Sequence, residues 1–178
     1  MTKKYILTGG PGSGKSSILL ELEARGEHII REASEDVIKR YQSRGIKKPW
    51  EKPDFQKEIL KLQIQRESRI DKNIERVFID RGIPDGLAYA KQGTDTYVEI
   101  RREIRPYDGI FLIENLGQTE TNEIRREDQE EALELELKLK EIYLSEGYSI
   151  MKIPVDSVED RANLILALAG LIDGPRFG

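Results

Sequence analysis

The chain has 178 residues, no cysteine, one histidine, 38% hydrophobic and 35% charged residues, and a net charge of −4. That length suits one well-solvated domain with a sizeable core. The composition excludes disulfides and thiolate metal sites, and its acidic balance argues against bulk nucleic-acid binding, which rests on a basic footprint.

No apolar run approaches the ~20 residues of a bilayer span. The N-terminal MTKKYIL has too short an apolar stretch for a signal peptide, so a cytoplasmic location is expected. KYILTG (4–9) is an apolar run ending in glycine and predicts a buried strand. Ile18, Leu19 and Leu22 then recur at helical spacing over 15–25, stopped by Gly26. EHIIREA (27–33) predicts a second strand ending in polar residues, and 34–43 a helix. Pro49 and Pro53 make 43–54 a loop, after which Asp54 is expected to cap a long polar helix running to about residue 73.

RVFIDRG (76–82) predicts the third strand, and PDGLAYAKQG opens a helix with Pro84 in its first turn. A helix near 95–105 ends before Pro106, and DGIFLIENL (108–116) predicts the fourth strand. A polar loop, 117–125, leads into a charged helix over 126–146, striped with Ala132, Leu135, Leu139, Ile142 and Tyr143. GYSIMKIP (147–154) predicts the fifth strand and SVEDRANLILALAGLI (157–172) the last helix. Five apolar strands alternating with helices predict an α/β fold with a parallel sheet covered on both faces. Ligands in such sheets sit beyond the carboxyl ends of the strands.

The motifs fall at that edge. GGPGSGKS (9–16) matches G-x-x-x-x-G-K-[ST], with a strand before it and a helix after. Glycines let backbone N–H groups turn inward around phosphate oxygens, and the helix N-terminus adds its positive dipole end. Gly10, Pro11, Gly12, Ser13, Gly14, Lys15, Ser16 and Ser17 are therefore the expected contacts of ATP. Lys15 reaches the β- and γ-phosphates, and the Ser16 hydroxyl can ligate Mg²⁺.

Other residues point to use of the triphosphate as well as its capture. Asp80 and Arg81 end the third strand, where a carboxylate can hold Mg²⁺ or accept a proton and a guanidinium can grip a phosphate. Glu32, after the second strand, adds an acid at the same edge, so one acid can activate a hydroxyl while the other organises the metal. Asp85 is expected as a helix-start residue, and Glu114, ending the fourth strand, as a further metal-shell candidate. Arg125 and Arg126 open the charged helix and can fold over a transferring phosphoryl group. Arg161, early in the last helix, can flank the adenine or pack. Tyr41, Trp50 and Phe55 can stack on a ring or pack, with Gln63 and Arg66 three apart on one helix. His28, without companion ligands, reads as structural.

The phosphate loop (P-loop), REAS, DRGIPDGLAYA, the arginines before a long acidic helix, and GYSIMKIPVDSVEDR together resemble a small AAA-type predicted ATPase/kinase family of P-loop NTPases. That family is related to the ribosylnicotinamide kinase domain and, more distantly, to deoxynucleoside and thymidylate kinases. The resemblance implies a three-layer P-loop kinase fold with sheet order 2-3-1-4-5 and Mg²⁺-ATP as donor. It also implies a substrate cover over about 33–73 and a helical lid over about 117–130. In the deoxynucleoside kinases the acid after the second strand is the base, which falls on Glu32; the acid–arginine pair after the third falls on Asp80 and Arg81. The expected activity is transfer of the γ-phosphoryl group to a small-molecule acceptor, a nucleoside, nucleotide or ribosylnicotinamide-like compound. The alternative is a nucleotide-dependent switch that hydrolyses ATP or GTP and contacts a protein or lipid partner.

Overall fold

Each of the five apolar runs is a strand. β1 (Lys3–Thr8), β2 (His28–Ile30), β3 (Arg76–Asp80), β4 (Gly109–Ile113) and β5 (Ile150–Ile153) form one sheet in the order β2-β3-β1-β4-β5. Every pairing is parallel, with Leu7 opposite Asp80, Ile6 opposite Ile110, His28 opposite Val77 and Ile110 opposite Ile150. The computed structural model describes residues 1–116 and 129–174.

Alternation along the strands sends side chains to two cores. On one face Tyr5, Leu7, Phe78 and Phe111 pack against Ile18 and Leu22 of α1 (Lys15–Ala24) and Ala162, Ile165 and Ala169 of α6 (Val158–Asp173). On the other, Ile6, Val77, Ile79 and Ile110 pack with Tyr107 and with Tyr143 of α5 (Gln129–Ser145). α2 (Ala33–Gln42) and α3 (Phe55–Ser68) form a smaller cluster of Val37, Ile38 and Phe55, backed by Trp50. A second cluster joins Leu60 of α3, Ile83 and Leu87, and Ile100 of α4 (Asp95–Glu103). Helices thus cover both faces of a parallel sheet, as the alternating pattern predicts, in the expected order.

The differences from expectation lie at element ends. β2 stops at Ile30 because the next two carbonyls, of Arg31 and Glu32, accept from the Arg66 guanidinium at 2.7 and 3.1 Å. Glu32 therefore begins α2 instead of ending a strand. α3 ends at Ser68, short of residue 73, because Asp71 folds the chain back: its Oδ1 accepts from Asn73 N at 2.9 Å and its carbonyl from Ile74 N at 3.0 Å. Asp54 precedes α3 without a side-chain cap and instead accepts from the Tyr41 hydroxyl. The segment after β3 is a 3₁₀ helix, Ile83–Ala88, with a second 3₁₀ turn at Pro49–Glu51 inside the expected loop.

Candidate active site

Residues 9–14 link β1 to α1 along the carboxyl edge of the sheet. Gly14 starts α1 at φ +82°, a left-handed conformation that suits glycine, and its carbonyl accepts the first helical bond, from Ile18 N at 3.1 Å. Gly10 is required for a different reason: a Cβ there would lie 2.5 Å from the Ala132 carbonyl oxygen of α5. The loop is also held from two sides. Asn115 Nδ2 donates to the Pro11 carbonyl at 3.0 Å, and Arg161 Nη1 donates to the Ser13 carbonyl at 2.7 Å. Arg161 also donates to the Glu114 carbonyl at 2.8 Å and is only 2% exposed. It thus braces the loop from behind through backbone oxygens.

Lys15 is buried, with Nζ on the Gly9 and Gly10 carbonyls at 3.0 and 2.8 Å and on Ser13 Oγ at 3.0 Å. Three oxygens thus gather its ammonium inside the loop. Ser16 and Ser17, in the first turn of α1, are exposed.

Across the edge, Asp80 ends β3 and is buried. Arg81 follows at φ +65°, the only described non-glycine residue with positive φ. Such a conformation costs on the order of 1–3 kcal/mol and persists only where the surroundings over-determine it. Here they do. Arg81 N donates to the Leu7 carbonyl at 3.0 Å, and its own carbonyl accepts from Gln63 Nε2 at 2.7 Å. Its guanidinium meets Glu32 at 3.2 Å and Asp85 at 3.4 Å, and lies 5.9 Å from the Tyr89 ring centroid. Burial disfavours its charge, but Tyr89, Glu32, Asp85 and Asp80 more than offset that, and its pKa stays well above the ordinary guanidinium value.

Asp85 is the hub of this constellation. Oδ1 accepts from Thr8 Oγ1 at 2.7 Å as well as from Arg81; Oδ2 accepts from Gly82 N at 3.0 Å and from the Tyr143 hydroxyl. Tyr143 is fully buried, and burial followed by the charge of Asp85 pushes its pKa well up, so its proton stays on oxygen and is donated. Glu32 accepts from Ser34 as well as from Arg81.

A cavity of about 410 Å³ opens beside this group. Its near wall carries Pro11, Glu32, Asp80 and Arg81. Its far end is apolar, formed by Ile38, Trp50, Phe55, Ile59, Leu60 and Ile100 from α2, the following 3₁₀ turn, α3 and α4. The segment expected as a substrate cover does line a closed space.

The AAA domain family matches residues 4–161. The chain belongs to that family. The match takes in the P-loop, both acids, Arg81 and the residues that brace them. No curated protein matches this AAA domain. Among solved structures, it is similar to deoxyadenosine kinase from M. mycoides with bound dATP, at TM-score 0.62 and 18% identity over 94% of this chain and 99% of that one. It is also similar to NadR protein in complex with NR, at TM-score 0.72 and 15% identity over 99% of this chain. The AAA domain spans about half of NadR, 52%. At these identities the likeness is one of fold: a P-loop kinase fold.

Within this AAA domain, Lys15, Glu32, Asp80 and Arg81 share one edge with residues 10–17. Arg125 and Arg126, and most of the segment expected as a lid, lie outside the described residues. Glu114 pairs with Lys152, which holds its carboxyl below the ordinary carboxylate range. Arg66 braces the Glu32 backbone and pairs with Asp36 instead of joining Gln63. Three contributors carry little sequence signal. Asp85 reads as a helix start, Tyr143 as one more member of an apolar stripe, and Asn115 as the polar end of a strand. Only Asn115, just past a buried strand on the ligand-binding edge, sits where a sequence rule could have marked it.

Proposed function

We propose that the chain is a small-molecule kinase that moves the γ-phosphoryl group of Mg²⁺-ATP to a hydroxyl-bearing acceptor, a nucleoside, nucleotide or ribosylnicotinamide-like compound. The observation that carries this reading is the joining of two compartments. The P-loop and a cavity large enough for a small ring compound share Pro11, with Asp80, Arg81 and Glu32 on the cavity wall. A switch that only hydrolyses its nucleotide needs no second substrate's pocket. The relatives support the same direction: one printed as a deoxyadenosine kinase, another in complex with NAD and AMP-PNP.

Mg²⁺ fits the donor chemistry. The Ser16 hydroxyl and the Asp80 carboxylate are hard oxygen donors, and no cluster of three or more His, Cys, Asp or Glu among the described residues forms a protein cage. Mg²⁺ characteristically takes one or two protein oxygens and completes its shell with phosphate and water. When bound, the ion neutralises charge on the phosphate oxygens.

In this reading Lys15 exchanges its loop oxygens for β- and γ-phosphate oxygens, while backbone N–H groups of residues 10–17 hold the triphosphate. Glu32 takes the acceptor's hydroxyl proton as the new oxygen–phosphorus bond forms. The bond from γ-phosphorus to the bridging oxygen breaks, and that oxygen leaves on ADP. Arg81, fixed by Glu32 and Asp85, stabilises the charge that builds up, and Arg125 and Arg126 are proposed to close over it. Replacing the base tests the assignment: Glu32→Gln should retain ATP binding by calorimetry yet lose transfer by roughly 10²–10⁴. Transfer at the parent rate would remove Glu32 from the chemistry.

A further inference from the structure

The charge of the acceptor pocket selects among the acceptors just named. Five carboxylates line the cavity, those of Glu32, Glu35, Asp80, Asp85 and Glu131, against one cation among the described lining residues, Arg81. That cation is already engaged by Glu32 and Asp85. The remaining wall is apolar and aromatic, with Trp50, Phe55 and Tyr89. A phosphate monoester brings about −1.5 to −2 charge near neutral pH, and a like-charge juxtaposition costs several kcal/mol. A neutral ring meets no such penalty. A cationic ring gains from the carboxylates and from the aromatic faces.

We infer that this pocket takes neutral or cationic acceptors, nucleoside-like compounds with a free hydroxyl, and rejects their phosphorylated forms. The inference rests on the kinase reading for its biology, but its test is a binding measurement that stands apart from transfer. Trp50 lines the cavity and is the only tryptophan of the chain, so its fluorescence reports occupancy. The P-loop is first filled with Mg²⁺ and a non-hydrolysable ATP analogue, so that added phosphates cannot bind there. The common nucleosides and an N-ribosyl pyridinium cation are then titrated, each beside its own 5′-monophosphate.

In every pair that gives a signal, the unphosphorylated member should bind at least about tenfold tighter, the low end of a like-charge penalty. The double variant Glu35→Gln/Glu131→Gln should narrow that gap by raising the affinity of the monophosphate. A monophosphate that binds as well as or better than its parent would overturn the inference, and so would the absence of any Trp50 response across all pairs. Failure of every compound to accept phosphate, with the binding order intact, would instead overturn the kinase reading and leave the charge selection standing.

Discussion

At the scale of single residues, Lys15 and Asp85 play opposite parts in the same site. Lys15 holds an ammonium over three oxygens inside its loop and anchors little of either core. Lys15→Ala should therefore leave the circular dichroism spectrum unchanged while weakening Mg²⁺-ATP binding or abolishing turnover. Unchanged binding and turnover would contradict the role of the loop. Asp85 binds four partners and faces the site only through Arg81. It is a positioning residue, and Tyr143→Phe tests it gently by removing one donor and no volume. A buried acceptor that loses a partner costs about 1–3 kcal/mol, so the melting temperature should fall. Transfer should slow through kcat with acceptor KM little changed, since Arg81 and not the acceptor is disturbed. A loss of stability with kcat intact would make the network purely structural. Of the two acids, Asp80→Asn should be partly rescued by raised Mg²⁺ and Glu32→Gln should not. Near-normal rates in both would remove both from catalysis.

At the scale of elements, the P-loop is clamped between helices distant in sequence. α5 crosses it so closely that the Ala132 carbonyl excludes a side chain at position 10, and α6 reaches it through Arg161. Gly10→Ala must push α5 away, an overpacking cost of typically ~1–3 kcal/mol, and thermal unfolding should show it as a lowered midpoint together with weaker nucleotide binding. A midpoint equal to the parent's would mean that α5 yields freely. The elements themselves were largely legible in the sequence, because buried parallel strands are short apolar runs and their helices carry spaced apolar residues. Their ends were not, because they depend on contacts across the fold. Arg66 ends β2 from 35 positions away, through the Arg31 carbonyl. The P-loop, Glu32, Asp80 and Arg81 were legible because a local motif or a strand end marks them. The hydroxyl of Tyr143 was not, because its partner lies 58 positions away and its own helix marks it as packing.

At the scale of the whole molecule, the sheet brings a phosphate-holding loop and a half-apolar cavity to one edge, with the acid–arginine group between them. No helix among the described residues is long and apolar enough to cross a membrane. The central claim is that this arrangement carries a phosphoryl group from one compartment to the other. The direct measurement follows the γ-phosphate of labelled Mg²⁺-ATP in the presence of a panel of nucleosides, nucleotides and ribosyl compounds. The account predicts slow release of free phosphate with ATP alone, because the reacting group is kept from water until an acceptor arrives. With the right acceptor, ADP formation should rise and the label should appear on that compound in equal amount. Label appearing only as free phosphate across the whole panel, at a rate that a macromolecular or lipid partner raises and no small acceptor does, would contradict it.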